Sequence, residues 1–344
     1  MYKTSKLKQS VIFFLALLLC ILSGCTKTTP PPTQTTGFAM GSLVTQTLPA
    51  GTDATLSNEV LAQLNSLEKE ISWRVETSSV AKLNAADGQP VPLPEETFAL
   101  LQTAQDVANH SQNAFHPLLL PLSRLWNFDG EAFTPPTAED VAAALAHTSA
   151  DALLLTSSTC TAQLTDPDSA IDLGGIGKGA ACDTALEVYR AQKLSSALVT
   201  VGGSVGVLGT KPDGTPWKIG VRDPNGDANT SLGVLSLTDQ CVSTSGTYEK
   251  GATVDGIHYH HLIDPSTGYP VENSLLSVTV LHSSGALTDA LATACMVLGK
   301  EASLPLLEHY KAQAIFIEKD HTVTLTDGLH ETFRLTSEAY FLAE

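Results

Sequence analysis

The sequence predicts an α+β fold in which antiparallel sheets pack against helices. Two observations carry this. Segments with helical spacing of apolar residues come in groups, and short strand-like segments follow one another directly, without the helix between every pair of strands that a doubly wound parallel sheet needs. No internal repeat breaks the pattern.

The first strand is read at Leu43–Leu48. From Asn58 to Ile71, Val60, Leu61, Leu64, Leu67 and Ile71 recur at helical spacing and form one apolar stripe. The same period marks helices over Pro94–Ser111, Ala138–His147 and Lys178–Leu194, the last rich in Ala and Leu. Further strands are read at Ala197–Val201, Trp217–Arg222, Leu232–Leu237, Leu276–Leu281, Ala314–Ile317 and Thr322–Leu325, each bounded by turn residues.

The N-terminus carries Lys3, Lys6 and Lys8, an apolar run from Val11 to Ile21, and then Leu22-Ser23-Gly24-Cys25. That is the layout of an export signal. The apolar run is about half the ~20 residues of a spanning helix, and polar chain follows at once, so a signal is favoured over a transmembrane anchor. A Cys after Leu-Ser-Gly resembles the bacterial lipobox, which implies acylation of Cys25 and attachment to a membrane surface. The expected division is a signal over 1–24, a Thr/Pro-rich tether over 25–37 containing Pro30, Pro31 and Pro32, and a folded domain over 38–344. The domain is long enough for one large core or two close lobes. The expected location is the cell envelope, on the outer face of the cytoplasmic membrane or in the periplasm.

A formal net charge of −17 and a pI near 4.9 argue against nucleic acid and against charge-driven adhesion to anionic lipid. Cys160, Cys182, Cys241 and Cys295 remain in the mature chain, none at C-x-x-C spacing, which speaks against a zinc ribbon or a thioredoxin-type site. Buried free thiols are expected, and an oxidising compartment leaves a disulfide open.

Three stretches carry chemistry. Asp172-Leu173-Gly174-Gly175-Ile176-Gly177-Lys178-Gly179 is read as a strand end passing through a Gly-rich turn into a helix, where backbone groups and a helix N-terminus favour an anion such as a diphosphate. It is neither a Walker A loop nor a G-x-G-x-x-G fingerprint, and taken alone it fits a structural turn equally well. In Asp289-Ala290-Leu291-Ala292-Thr293, a carboxylate and a hydroxyl four apart share one helical face and can converge on a hard cation; a cap and a core-edge hydroxyl are the plainer reading. In His258-Tyr259-His260-His261, strand alternation turns His258 and His260 one way and His261 the other, which weakens a zinc reading and leaves a general base or a structural His.

Together with Met40-Gly41-Ser42, Ala114-Phe115-His116-Pro117, Leu125-Trp126-Asn127-Phe128, Val201-Gly202-Gly203, Gly209 to Gly214, Ser243-Thr244-Ser245-Gly246 and His260 to Pro270, these stretches resemble the FAD:protein FMN transferase family, flavin transferases once described as thiamine-biosynthesis lipoproteins. The resemblance runs from about Phe38 to Gly299. It implies a flavin transferase-type fold with FAD extended in a cleft between lobes and Mg²⁺ beside its diphosphate. Asp289 and Thr293 match the side-chain Mg²⁺ ligands, and Gly175 the position offering a backbone carbonyl. Met40, Ala114, Phe115, His116, Asp172, Lys178 and Ile263 match FAD-contacting positions. Arg74 falls near an aromatic contact of many relatives, a role that Trp73 can also fill.

The implied reaction is attack by a threonine hydroxyl of an acceptor protein in a membrane redox complex on the FMN phosphorus, with AMP leaving. His261 matches the recurring His and is the candidate base; Lys178 is the candidate stabiliser of phosphate charge. Ser42 stands where Thr is common, His116 where Asp is common, so its contact is altered or pH-dependent, and Ala292 where some relatives have a second carboxylate. Two other functions are compatible with the same residues: a Mg²⁺-dependent FAD hydrolase giving FMN and AMP, and an FAD-binding lipoprotein without catalysis.

Overall fold

A computed structural model describes residues 31–130 and 132–343. The export signal, Cys25 and residues 26–30 of the tether lie outside the described residues. In chain order the elements are β1 (Thr33–Ala39), β2 (Ser42–Leu48), α1 (Ala54–Ile71), α2 (Ser79–Asn84), β3 (Val91–Pro92), α3 (Glu95–His110), α4 (Leu120–Trp126), α5 (Ala138–Leu145), β4 (Leu153–Thr156), β5 (Thr161–Leu164) and α6 (Gly174–Ala191). They continue with β6 (Ser196–Val201), β7 (Ser204–Gly209), β8 (Trp217–Arg222), β9 (Ser231–Leu237), β10 (Cys241–Gly246), β11 (Gly251–Val254), β12 (Ile257–His260), β13 (Leu275–His282), α7 (Gly285–Leu298), α8 (Lys300–Tyr310), β14 (Gln313–Glu318), β15 (Thr322–Leu325), β16 (Phe333–Leu335) and β17 (Phe341–Leu342).

A nine-stranded sheet runs in the order β1-β2-β6-β7-β10-β13-β14-β15-β17, antiparallel except for the β15–β17 pair. Strand alternation splits its side chains between two cores. Val278, Val280, Ala314 and Phe316 face one way and pack with Ala290, Leu291, Ala294 and Met296 of α7. Leu281, Ile315 and Ile317 face the other way, against Trp217, Val221, Leu235 and Phe333 of the small β16-β9-β8 sheet. Helices thus cover one face and a second sheet the other, the α+β arrangement expected, with 32–344 forming one compact unit. None of the described helices is long and apolar enough to cross a membrane.

Every strand and helix read from sequence is present, with two differences of extent at the site and with elements that the sequence does not disclose. β1 takes Thr33–Gly37 out of the expected tether: the segment pairs residue by residue with β2, from Thr33↔Leu48 to Ala39↔Ser42. α6 begins at Gly174, so the Gly-rich stretch is the first turn of the helix and not a loop leading into it. α8, with Pro305 inside it, was not expected from the periodicity.

The glycines of α6 have a packing cause. At the crossing of α6 and α7, a Cβ on Gly179 would run into the Gly285 carbonyl oxygen, and a Cβ on Gly285 into that of Gly179. Only two glycines let the backbones approach this closely. Gly179→Val is therefore expected to destabilise the fold by about 3 kcal/mol and lower the Tm by roughly 4–6 °C, because the helices must separate. A variant that melts with the unaltered protein in thermal denaturation would show that the close crossing carries no stability.

Candidate active site

The crossing of α6 and α7 sets the site. Asp289 lies in the second turn of α7 and is buried. Its Oδ2 accepts the Gly179 N–H at 3.0 Å, and its Oδ1 is 3.7 Å from Lys178 Nζ. The Asp289 carboxylate is the main cause of a raised Lys178 pKa, so the ammonium is charged at any physiological pH. Thr293, one turn on, hydrogen-bonds Ser245 Oγ at 3.3 Å, and its Oγ1 lies 3.6 Å from where a Gly175 Cβ would sit. The four residues read from sequence as metal and phosphate groups, Gly175, Lys178, Asp289 and Thr293, are thus brought together by helices about 110 residues apart in sequence.

In the first turn of α6 the Ile176 and Gly177 N–H groups donate to the Leu173 carbonyl, at 3.2 and 2.9 Å. The Asp172 side chain accepts the Gly174 N–H at 2.8 Å, and its own N–H donates to the Pro117 carbonyl at 2.7 Å. That second bond pins the 114–117 segment to the turn. Phe115 is buried with its Cε2 3.1 Å from the position of a Gly175 Cβ. Ala114 is buried beside it, its N–H bonded to Ser111 O at 3.0 Å. His116 is buried and accepts the Leu118 N–H on Nδ1 at 3.3 Å; burial pushes its pKa down to about 4. The imidazole is therefore neutral between pH 5 and 8.

Met40 and Gly41 form the β1–β2 turn, both at positive φ (57° and 63°), the conformation that fits a two-residue hairpin. The Met40 N–H donates to Glu68 at 2.7 Å, and its Cε lies 3.2 Å from where a Gly177 Cβ would be. The β6–β7 turn meets the same place, since a Cβ on Gly202 would be 3.0 Å from Ser42 Oγ and 3.3 Å from Lys178 Cδ.

His261 follows β12. Its N–H and its Nδ1 both face the Lys250 carbonyl, at 3.0 and 3.3 Å. A carbonyl only accepts, so Nδ1 carries the proton and Nε2 offers a lone pair. Burial, then the Lys178 cation, push the pKa of His261 down to about 4. His258 is exposed on Thr247 O, while His260, two residues on in β12, is buried with Nε2 on Val271 O at 3.1 Å. Ile263 packs with Leu122, Trp126 and Val141. Arg74 is exposed, ion-paired to Asp129 at 2.6 Å with its guanidinium over Trp73. It reaches the rim of the site, not the α6–α7 crossing.

Several further contributors act through partners distant in sequence. Asp183 accepts the Gly285 and Ala286 N–H groups at 2.6 and 2.9 Å and so caps α7 from α6. Ser243 bonds Thr288 at 2.8 Å, which gives the Ser243–Gly246 stretch its role beside Ser245. Glu249 lies 3.2 Å from the position of a Gly203 Cβ, and burial pushes its pKa up against the opposing pull of Lys178. Away from the site, His147, Asp166 and Asp168 bring three ligand-type atoms within 4.8 Å; the His147–Asp166 bond at 2.8 Å and the Asp168 N–H to Asp166 at 3.0 Å account for that cluster. Among the described residues Cys160, Cys182, Cys241 and Cys295 are free thiols, Cys160 half-buried and the others buried.

A model of the ApbE family matches residues 40–316, which includes every expected site residue among those described. The chain belongs to the ApbE family. A FAD:protein FMN transferase of Treponema pallidum (strain Nichols) is 32% identical over 361 residues, covering 98% of this chain and 99% of that one. One of Klebsiella pneumoniae (strain 342) is 33% identical over 290 residues, 84% and 90% of the two chains. Among solved structures, the ApbE protein of Thermotoga maritima superposes with a TM-score of 0.81 at 30% identity, covering 88% of this chain and 99% of that one. The apo flavinyl transferase ApbE of Pseudomonas stutzeri gives 0.78 at 32% identity, with 89% and 98% covered.

Proposed function

We propose that the chain transfers FMN from FAD to a threonine hydroxyl of an acceptor protein, with Mg²⁺ and with AMP as leaving group. The observation that carries the reading is the convergence of Gly175, Lys178, Asp289 and Thr293 where α6 crosses α7. The donor set fits Mg²⁺: a carboxylate, a hydroxyl and a backbone carbonyl are hard oxygens, and Asp289, with Oδ2 on Gly179, keeps Oδ1 for a cation. When bound there, Mg²⁺ would neutralise charge on the FAD diphosphate and polarise the phosphorus under attack.

The protein's own groups divide the remaining work. Lys178 stabilises charge on the phosphate oxygens as the bond to AMP lengthens. The positive end of the α6 dipole, at its first turn, favours the same anion. Met40 and Phe115 form an apolar edge over that turn, with Ala114, His116, Asp172 and Ile263 along the path of FAD and Arg74 at its rim. His261, neutral and with Nε2 free, takes the threonine proton while the hydroxyl oxygen bonds to phosphorus and AMP leaves with the electron pair of the broken P–O bond. Lipid on Cys25, a place in the cell envelope and an acceptor within a membrane redox complex complete the proposal.

Mass spectrometry of the chain beginning after Cys25, incubated with FAD, Mg²⁺ and a domain carrying a flavinylation-type threonine, tests it. A gain equal to FMN on that threonine is expected. AMP and free FMN without a modified acceptor would identify a hydrolase, and intact FAD a binding protein.

A further inference from the structure

The rim of the site holds a charge arrangement that the transfer chemistry does not itself require. Asp129 lies in the loop after α4, and its two carboxylate oxygens are each taken by a different cation: Oδ2 by Arg74 and Oδ1 by Lys250, both at 2.6 Å. The Lys250 hydrogen bond is the main cause of a depressed Asp129 pKa, so the carboxylate is charged throughout the physiological range. Two of the three partners stand on rigid supports. Trp73, packed on the main core, has the Arg74 guanidinium 4.2 Å above its ring and Arg124 at 4.9 Å. Phe128, next to Asp129, stacks on the buried Trp126 at 5.7 Å with the rings parallel, and on Phe133 at 5.1 Å. Lys250 has no such platform; its side chain is half-exposed and its ion pair is with Asp129. Yet the Lys250 carbonyl is the acceptor for both the His261 N–H and its Nδ1–H.

We propose that Asp129 is a positioning residue: a two-cation clamp that ties Lys250 to the Trp73 and Trp126 platforms and thereby holds the His261 imidazole in the tautomer with Nε2 free. The inference rests on His261 acting as the base in the proposed transfer. An imidazole displaced by about 1 Å, or in the other tautomer, loses much of its effect on a proton transfer. Exposed ion pairs are individually weak and screened by salt, so the clamp loosens as ionic strength rises.

Two measurements on the full mature chain test this. In ¹⁵N spectra of the imidazoles, His261 of the unaltered protein gives the Nδ1–H pattern, and Asp129→Asn shifts it toward a mixture of tautomers. In turnover with FAD, Mg²⁺ and the acceptor domain, Asp129→Asn lowers kcat about five- to tenfold with KM for FAD within about twofold. Asp129→Glu recovers at least half of the loss, and raising salt lowers kcat of the unaltered protein while leaving Asp129→Asn nearly flat. An unchanged His261 tautomer in Asp129→Asn, or equal kcat and equal salt dependence, overturns the clamp. The tautomer is read without turnover, so absence of FMN transfer by the unaltered chain would count against the proposed function alone.

Discussion

Asp289→Asn is expected to lower FMN transfer by about 10³-fold or more while leaving the fold close to intact, and Asp289→Ala to lose both. The two variants separate the two jobs of one carboxylate. Oδ2 holds the Gly179 N–H at the helix crossing, and Oδ1 faces Lys178 and the proposed cation. An amide keeps an oxygen for Gly179 but carries no charge, so the cation affinity falls and the Lys178 ammonium loses its counter-ion. Alanine removes the acceptor as well, leaving a buried N–H unsatisfied and a charged lysine unpaired, which together cost about 2–4 kcal/mol. Thermal melts of both variants, with turnover titrated against Mg²⁺, make the check. Transfer by Asp289→Asn at near-normal rate and at the same Mg²⁺ concentration would remove Asp289 from the metal site.

What the sequence discloses here follows the range of the interaction. The α1 stripe and the strands at Trp217–Arg222 and Thr322–Leu325 are legible because a half-buried element repeats its own apolar period. Asp289 and Thr293 are legible for the same reason, being one turn apart on α7. β1 is hidden because it is an edge strand whose outward side chains, Gln34, Thr36 and Phe38, are exposed, so a polar strand reads as tether. The first turn of α6 is hidden because glycine is a poor helix former, and the neighbours of its glycines, Phe115 and Thr293 at Gly175, Ile71 and Met40 at Gly177, lie far away in sequence. Asp183, Ser245, Asp129 and Lys250 act through partners distant in sequence, and a single sequence carries no mark of such pairing. The motif order pointed to the family, while the contacts that make it work appear only once the helices cross.

His261→Ala is expected to lower kcat by about 10²–10³ with a small change in KM for FAD, since the residue acts on the acceptor proton and not on the dinucleotide. The pH profile makes the sharper statement. A base works in its deprotonated form, so its pKa sets where the acid limb falls. With the free-protein pKa held near 4 by burial and by Lys178, kcat/KM is expected to stay flat from pH 8 to about pH 5 and to be halved near pH 4. An unperturbed imidazole would be half-protonated near pH 6.5 and would already slow the reaction at neutral pH. Bound FAD brings negative charge toward Lys178 and offsets its repulsion of the imidazolium, so the acid limb of kcat, which reports the complex, lies above that of kcat/KM. His260, the neighbouring residue at the end of β12, provides the control: it is buried with Nε2 on Val271 O and Nδ1 without a partner, so His260→Ala is expected to cost stability and leave both limbs in place. An acid limb of kcat/KM at pH 6.5 that persists in His261→Ala would assign the proton to another group, and Glu249, the carboxylate that burial pushes up beside Lys178, would be the residue to replace next.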